Sequence, residues 1–129
     1  MRAEELKGHL DAVLLAALEG GPRHGYAVIE ALRQSTDGRL DLPTGTIYPA
    51  LRRLEQAGLI AGTWSVVGGR RRREYGLTPA GIRALSGRRA AWQDFSAIVT
   101  AALESATRVN AALENAALED TACPSPNPA

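Results

Sequence analysis

Four consecutive arginines, Arg70, Arg71, Arg72 and Arg73, sit inside the stretch GGRRRREY. A guanidinium is permanently charged and presents a rigid fork of donors, so its chemistry is recognition of phosphate or carboxylate rather than proton transfer. Between Thr44 and Arg89 there are nine arginines and only two acids, Glu55 and Glu74, a local net charge of +7. The whole chain carries +1, which leaves the remainder at −6. Positive charge concentrated in one span of a near-neutral chain marks a face for a polyanion.

Groups for covalent or acid–base chemistry are missing by comparison. The two histidines, His9 and His24, are distant in sequence, and His24 has no carboxylate cluster at metal-ligand spacing. No nucleophile elbow or phosphate-loop lysine motif occurs, and Gly68–Gly69 is too short for a nucleotide loop. The single cysteine, Cys123, allows neither an internal disulfide nor a cysteine-based metal site. The chain is therefore expected to have no catalytic residues, cofactor or metal, and not to be an enzyme. No apolar run reaches the roughly 18 residues of a membrane span, and the N-terminus lacks a signal peptide's apolar core. The expected location is cytoplasmic, with no membrane partner.

At 129 residues the chain has length for one domain with an appended element. Leu10, Val13, Leu14, Ala17 and Leu18 form one helical stripe within residues 6–18, ended by EGGP. A second helix is predicted from Gly25 to Gln34, with Tyr26, Ile29 and Leu32 inward or half-inward, and a very short strand is possible at Leu40–Leu42. In PTGTIYPALRRLEQAGLI, Ile47, Leu51 and Leu54 make the buried row of a third helix. Thr44 or Thr46 would cap it, with a start near Gly45–Thr46 that keeps Pro49 in the first turn, where its missing N–H is harmless. Gly58 ends it. The runs at 59–67 and 72–77, separated by glycines, read as a β-hairpin.

Thr78 and Pro79 then cap and open a long helix. Along it Trp92, Val99, Ala106 and Leu113 recur every seven residues, each followed three places on by an apolar residue: Phe95, Ala102, Val109 and Ala116. Such a heptad needs a partner that a chain this small does not hold, and a second copy of the same helix is the economical one. The Pro-rich end CPSPNPA reads as disordered.

Three helices, a two-stranded hairpin and a long helix make a mainly α (α+β) chain on the winged helix-turn-helix plan. In that plan the third helix enters the major groove and the hairpin, the wing, reaches the adjacent backbone. The expected organisation is a winged helix-turn-helix domain at 1–78, a C-terminal dimerisation helix at 79–118 and a disordered tail at 119–129. LDAVLLAALEGGPRHGYAVIEAL, LPTGTIYPALRRLEQAGLI and RREYGLTPAG, in unbroken order from about Leu10 to Phe95, resemble the PadR family of transcriptional regulators. The HGY triplet (His24–Tyr26) and the GTIYPAL core (Gly45–Leu51) are the most diagnostic parts, and the single helix after the wing resembles the family's shorter subclass. The resemblance implies a homodimer, in most members a repressor, bound to a pseudo-palindromic operator in double-stranded DNA. It further implies that an aromatic at the place of Trp92 can line a cavity between subunits where a flat aromatic effector stacks.

Each candidate residue has a plainer alternative. Gly45 lets backbone approach a phosphate, and Thr44, Thr46, Tyr48 and Tyr26 can donate hydroxyls; one threonine could serve only as the cap, Tyr48 could pack on the wing, and Tyr26 could wedge between helices. Pro49 shares the outer face with Arg52 and Arg53, which could reach a base edge or a phosphate, or else lie solvated or pair with Glu55 or Glu30. His24 reads as a capping or packing residue. Trp92 and Phe95 could be plain interface core. In the wing, strand alternation places Arg71 and Arg73 on one face, Arg70 and Arg72 on the other. Arg70 and Arg71 are expected on DNA, with one of Arg72 and Arg73 paired within the fold. The alternative function is a winged-helix module for protein contacts without specific DNA binding.

Overall fold

The structure is a computed structural model that describes residue 6 and residues 8–122. Its elements run α1 (Leu10–Ala17), β1 (Arg23–His24), α2 (Gly25–Ser35), α3 (Thr44–Gln56), β2 (Ile60–Val67), β3 (Arg70–Leu77) and α4 (Pro79–Ala122). The chain divides into two compact units, Met1–Arg89 and Ala90–Ala129. The first part of α4 thus belongs with the winged helix, where Leu85 and Ala84 join the core. α4 extends past the expected boundary at 118; from Cys123 onward the expected tail lies outside the described residues.

The core of the first unit is aliphatic: Leu14, Leu15 and Leu18 from the α1 region, Val28 and Leu32 from α2, Ile47, Leu51 and Leu54 from α3, closed by Ile60 and Tyr75. The turn between α2 and α3 is held by one hydroxyl. Thr36 Oγ1 donates to the Leu32 carbonyl (2.7 Å) and accepts from the Leu40 amide (2.9 Å). Leu40 and Leu42 are buried there but form no strand. The third strand is β1, whose two residues pair antiparallel with β3, Arg23 to Tyr75 and His24 to Glu74, in the sheet order β1-β3-β2.

Three local expectations need correction. The buried row of α2 is Gly25, Val28 and Leu32, so Tyr26 points out and is 66% exposed. α3 begins at Thr44 with Pro43 at the cap position, and neither threonine hydroxyl caps it; the Pro43 carbonyl instead accepts the Thr46 and Ile47 amides at 3.0 and 3.1 Å. Pro49 therefore lies in the second turn, where it denies the Gly45 carbonyl its helical donor. Lastly, β3 begins at Arg70, leaving a two-residue loop, Gly68–Gly69, at φ 58° and 78°. Both glycines in the left-handed region define the hairpin turn that matches strand twist.

The C-terminal end of α3 closes with two bonds, Gly58 N–H to the Glu55 carbonyl (3.0 Å) and Leu59 N–H to the Leu54 carbonyl (3.0 Å), with Gly58 at φ 76°. That is a Schellman cap. Thr78 caps α4 as expected, its Oγ1 accepting from the Gly81 amide at 3.0 Å, and Pro79 takes the first helical position.

Candidate nucleic-acid interface

The core-facing row of α3 is Ile47, Ala50, Leu51 and Leu54, all buried. Helical geometry therefore turns Thr44, Gly45, Tyr48, Pro49, Arg52 and Arg53 to solvent, and each is exposed; Thr46 is half-buried. The amides of Thr44 and Gly45 have no intrahelical acceptor, and the helix dipole favours an anion beside them. Gly45 has a helical φ, and a Cβ there would meet nothing within 4 Å. The fold does not require glycine at this position, although glycine costs up to about 1 kcal/mol of helix stability against alanine. The space over Gly45 is open to an external group.

Tyr48 crosses from α3 to lie on the start of α2. A Cβ on Gly25 would come within 2.5 Å of Tyr48 Cζ, so only glycine admits the ring there. Burial pushes the Tyr48 phenol above its usual range, with Tyr26 and Tyr75 adding to the shift. Tyr48 thus remains a neutral hydroxyl donor. It is 38% exposed, so it packs and still presents an edge to solvent. Tyr48, Tyr26 and Tyr75, with His24, Gly25 and the four wing arginines, line an open cleft of about 480 Å³ between α2, α3 and the wing.

His24 is the cap of α2. The Ala27 amide donates to its Nδ1 at 3.3 Å, and Arg72 Nη1 stands 3.1 Å from its Nε2. Both neighbours are donors, and a neutral imidazole accepts at one nitrogen only, so the cap and the Arg72 contact alternate with the tautomer.

The two-residue loop fixes the register of the wing: Val67 opposes Arg70, Val66 opposes Arg71, Ser65 opposes Arg72 and Trp64 opposes Arg73. Opposed residues share a face, so Arg71 and Arg73 lie with Trp64 while Arg70 and Arg72 lie with Ser65 and Val67. Arg73 is the arginine paired within the fold, through Nη2 to Glu55 Oε2 of α3 at 2.5 Å. Arg53 pairs with Asp11 of α1 at 3.4 Å, while Glu30 is taken by Arg33. The sequence reading did not single out Trp64, whose ring has the Arg71 and Arg73 guanidinium carbons 4.6 and 5.4 Å from its centroid. It also missed the clearance that Gly25 gives Tyr48.

In the second unit Trp92, Phe95, Val99, Val109 and Leu113 are exposed, as are Ala102 and, beside that row, Ile98 and Leu103. The Trp92 and Phe95 rings stand 5.9 Å apart, tilted by 38°. The Ala106 side chain lies outside the described ones. Among the described residues no group of three or more His, Cys, Asp or Glu could hold a metal ion, and no helix is long and apolar enough to cross a membrane.

Residues 14–87 match the model of the PadR-like family of transcriptional regulators. Over 74 residues the chain is 40% identical to the transcriptional regulator Rv3488 of Mycobacterium tuberculosis, covering 57% of this chain and 56% of that one. Among solved structures, a PadR family transcriptional regulator from Eggerthella lenta superimposes with a TM-score of 0.67 at 32% identity, over 79% of this chain and 88% of the other. A transcriptional regulator from Clostridium thermocellum gives 0.70 at 27% identity, over 75% and 95%.

Proposed function

The chain belongs to the PadR-like family of transcriptional regulators, and from that membership, joined to the basic face of its winged helix, we infer that it is a homodimeric repressor of a pseudo-palindromic operator. DNA binding is the family's trade. The finer assignments rest on this chain's own residues.

α3 enters the major groove with its outward face. Gly45 and the first amides of the helix approach a phosphate, Tyr48 and Tyr26 donate hydroxyls to the backbone, and Thr44, Thr46 and Arg52 lie within reach of phosphates or base edges. Pro49 shapes that face, and Arg53 is partly neutralised by Asp11. The wing brings Arg70, Arg71 and Arg72 to the flanking backbone, with Arg73 held back on Glu55. Two copies pair through the apolar face of α4, centred on Trp92, Phe95, Val99, Ala102, Ala106, Val109 and Leu113. Two-fold symmetry then sets two recognition helices about one turn of DNA apart, some 34–36 Å, which calls for a dyad in the operator. A flat aromatic effector stacking on Trp92 and Phe95 would release the DNA by changing that pairing. Such a regulator works in the cytoplasm, beside the chromosome.

The observation that carries the reading is the gathering of the cleft tyrosines and the wing arginines beside the open N-terminal end of α3. Its test is the salt dependence of duplex binding. Wild type should lose affinity steeply with log[salt]. Replacing Arg70 and Arg71 by alanine should reduce the slope by up to about 2, one for each phosphate contact removed. A flat wild-type slope refutes DNA binding by this face.

A further inference from the structure

We propose that Trp64 is a positioning residue for DNA binding: its indole holds the Arg71 guanidinium in place and, through Arg73 and Glu55, ties that arginine to the recognition helix.

Among the described residues the Trp64 ring is the one contact that orders the Arg71 side chain. Arg71 is exposed, is separated from the glycine turn only by Arg70, and stands opposite Val66, which offers it no polar partner. Left alone, its side chain would sample many rotamers, all of which must be given up on binding. Trp64 sits diagonally across the hairpin on the same face, and its ring lies under the Arg71 guanidinium at 4.6 Å. Stacking on an aromatic face fixes the guanidinium plane yet leaves its edge N–H groups for a phosphate or a base.

The ring is held in turn. Arg73, directly opposite Trp64, has its guanidinium carbon 5.4 Å from the same ring and is bound by Glu55. Glu55 Oε2 also accepts the Gly62 amide at 3.0 Å, so one carboxylate joins the last turn of α3 to both strands of the wing. A Cβ on Gly62 would fall 2.6 Å from both Glu55 Oε2 and Arg73 Nε, so glycine keeps the place where they meet. The line of contacts runs from α3 through Glu55, Arg73 and Trp64 to Arg71. Trp64 is 58% exposed and is absent from the hydrophobic core, so burial does not explain a tryptophan at this place on the wing.

This inference rests on the DNA-binding reading, and the experiment separates the two. Binding of the full chain to a labelled duplex would be measured for wild type, Trp64→Leu, Trp64→Phe, Arg71→Ala and the Trp64→Leu/Arg71→Ala double variant, with thermal melting of each. Trp64→Leu should weaken binding about 3- to 5-fold with little change in melting temperature, Trp64→Phe should recover part of the loss, and the salt slope should stay near that of wild type. Arg71→Ala should lower the slope by about 1 and make the Trp64→Leu change silent. Equal loss from Trp64→Leu with and without Arg71, or no loss at all while wild type binds, overturns the positioning role alone. A wild-type chain that does not bind duplex overturns the DNA-binding reading and this inference with it. A spectroscopic arm leaves the dimer face untouched: the emission that wild type has and Trp64→Phe lacks, which is that of Trp64, should change on adding duplex, and an unchanged difference under saturating conditions refutes contact of the ring's neighbourhood with DNA.

Discussion

Gly25→Ala separates folding from the proposed recognition, because the group it displaces, Tyr48, packs on α2 and still presents an edge to solvent. The added methyl would lie 2.5 Å from Tyr48 Cζ and 2.6 Å from its Cε1 and Oη. Carbon atoms rest at about 3.5 Å, so the ring must retreat by roughly 1 Å. Tyr48 lies on the outer face of α3 at 38% exposure, and its ring can swing toward solvent without disturbing Ile47 or Leu51 beneath. Lost ring packing is offset in part by the better helix propensity of alanine, at most about 1 kcal/mol at this first position of α2. The melting temperature should thus move by no more than about 5 °C. Binding should suffer more. If the displaced hydroxyl donates to a phosphate, losing that charge-assisted bond costs about 1.5–3 kcal/mol, a tenfold to hundredfold weaker Kd. Fluorescence anisotropy with a labelled duplex at fixed salt reads the effect, and Tyr48→Phe supplies the second corner of a cycle. In the Tyr48→Phe background Gly25→Ala should add little. Gly25→Ala binding as tightly as wild type, or costing as much without the Tyr48 hydroxyl as with it, refutes the reasoning.

Three further outcomes are expected. Gly81→Ala drives a methyl onto the Leu59 carbonyl oxygen, which is backbone already bonded to the Thr78 amide at 3.1 Å, so denaturant melts should show a loss of about 3 kcal/mol. Val99→Asp places a charge in the heptad row and should halve the mass seen by light scattering; an unchanged mass removes α4 pairing from the proposal. Glu19 accepts two bonds from Arg89, at 3.0 and 3.2 Å, and that partner holds its carboxyl below the usual glutamate range. A carboxyl depressed in the folded state stabilises above its unfolded value, and the contribution is lost as pH falls through the folded one. Glu19→Gln should therefore flatten the acid limb of thermal stability, and an identical limb in both proteins contradicts the pairing.

Local signals carried the sequence reading far where one residue type forces one conformation. Gly58 as a left-handed stop, Thr78–Pro79 as a helix start and Gly68–Gly69 as a hairpin turn are of that kind, and all three stand in the structure. The wing register was also available: a two-residue loop obliges Val67 to face Arg70, which places Trp64 opposite Arg73. Beginning the return strand at Arg72 concealed that pair. Features set by tertiary contact were not legible. β1 has two residues and no period of its own; it is a strand because Tyr75 and Glu74 lie beside it. The inward row of α2 starts on Gly25, which carries no apolar signal, so apolar spacing alone favours Tyr26 and Ile29 over the Gly25 and Val28 that the fold buries. Pro49 suggested a later start for α3 because a second-turn proline is costly, yet α3 starts at Thr44 and accepts it.

Besides capping α4, the Thr78 hydroxyl donates to the Gly58 carbonyl at 2.6 Å, while the Thr78 amide donates to the Leu59 carbonyl. The residue entering β2 and the residue leaving β3 are thus knotted together beneath the wing, with Ile60 paired to Leu77 just above. Above that knot the wing is tied to the body as far as Arg72, by β1 along β3, by Glu55 on Gly62 and Arg73, and by His24 beside Arg72. Matched residues added or removed at the tip, between Val66 and Arg71, would change how far the wing projects and leave those ties to α3 and β1 in place. The tip is in that sense an interchangeable part, one that can be resized while the frame that carries it stays put.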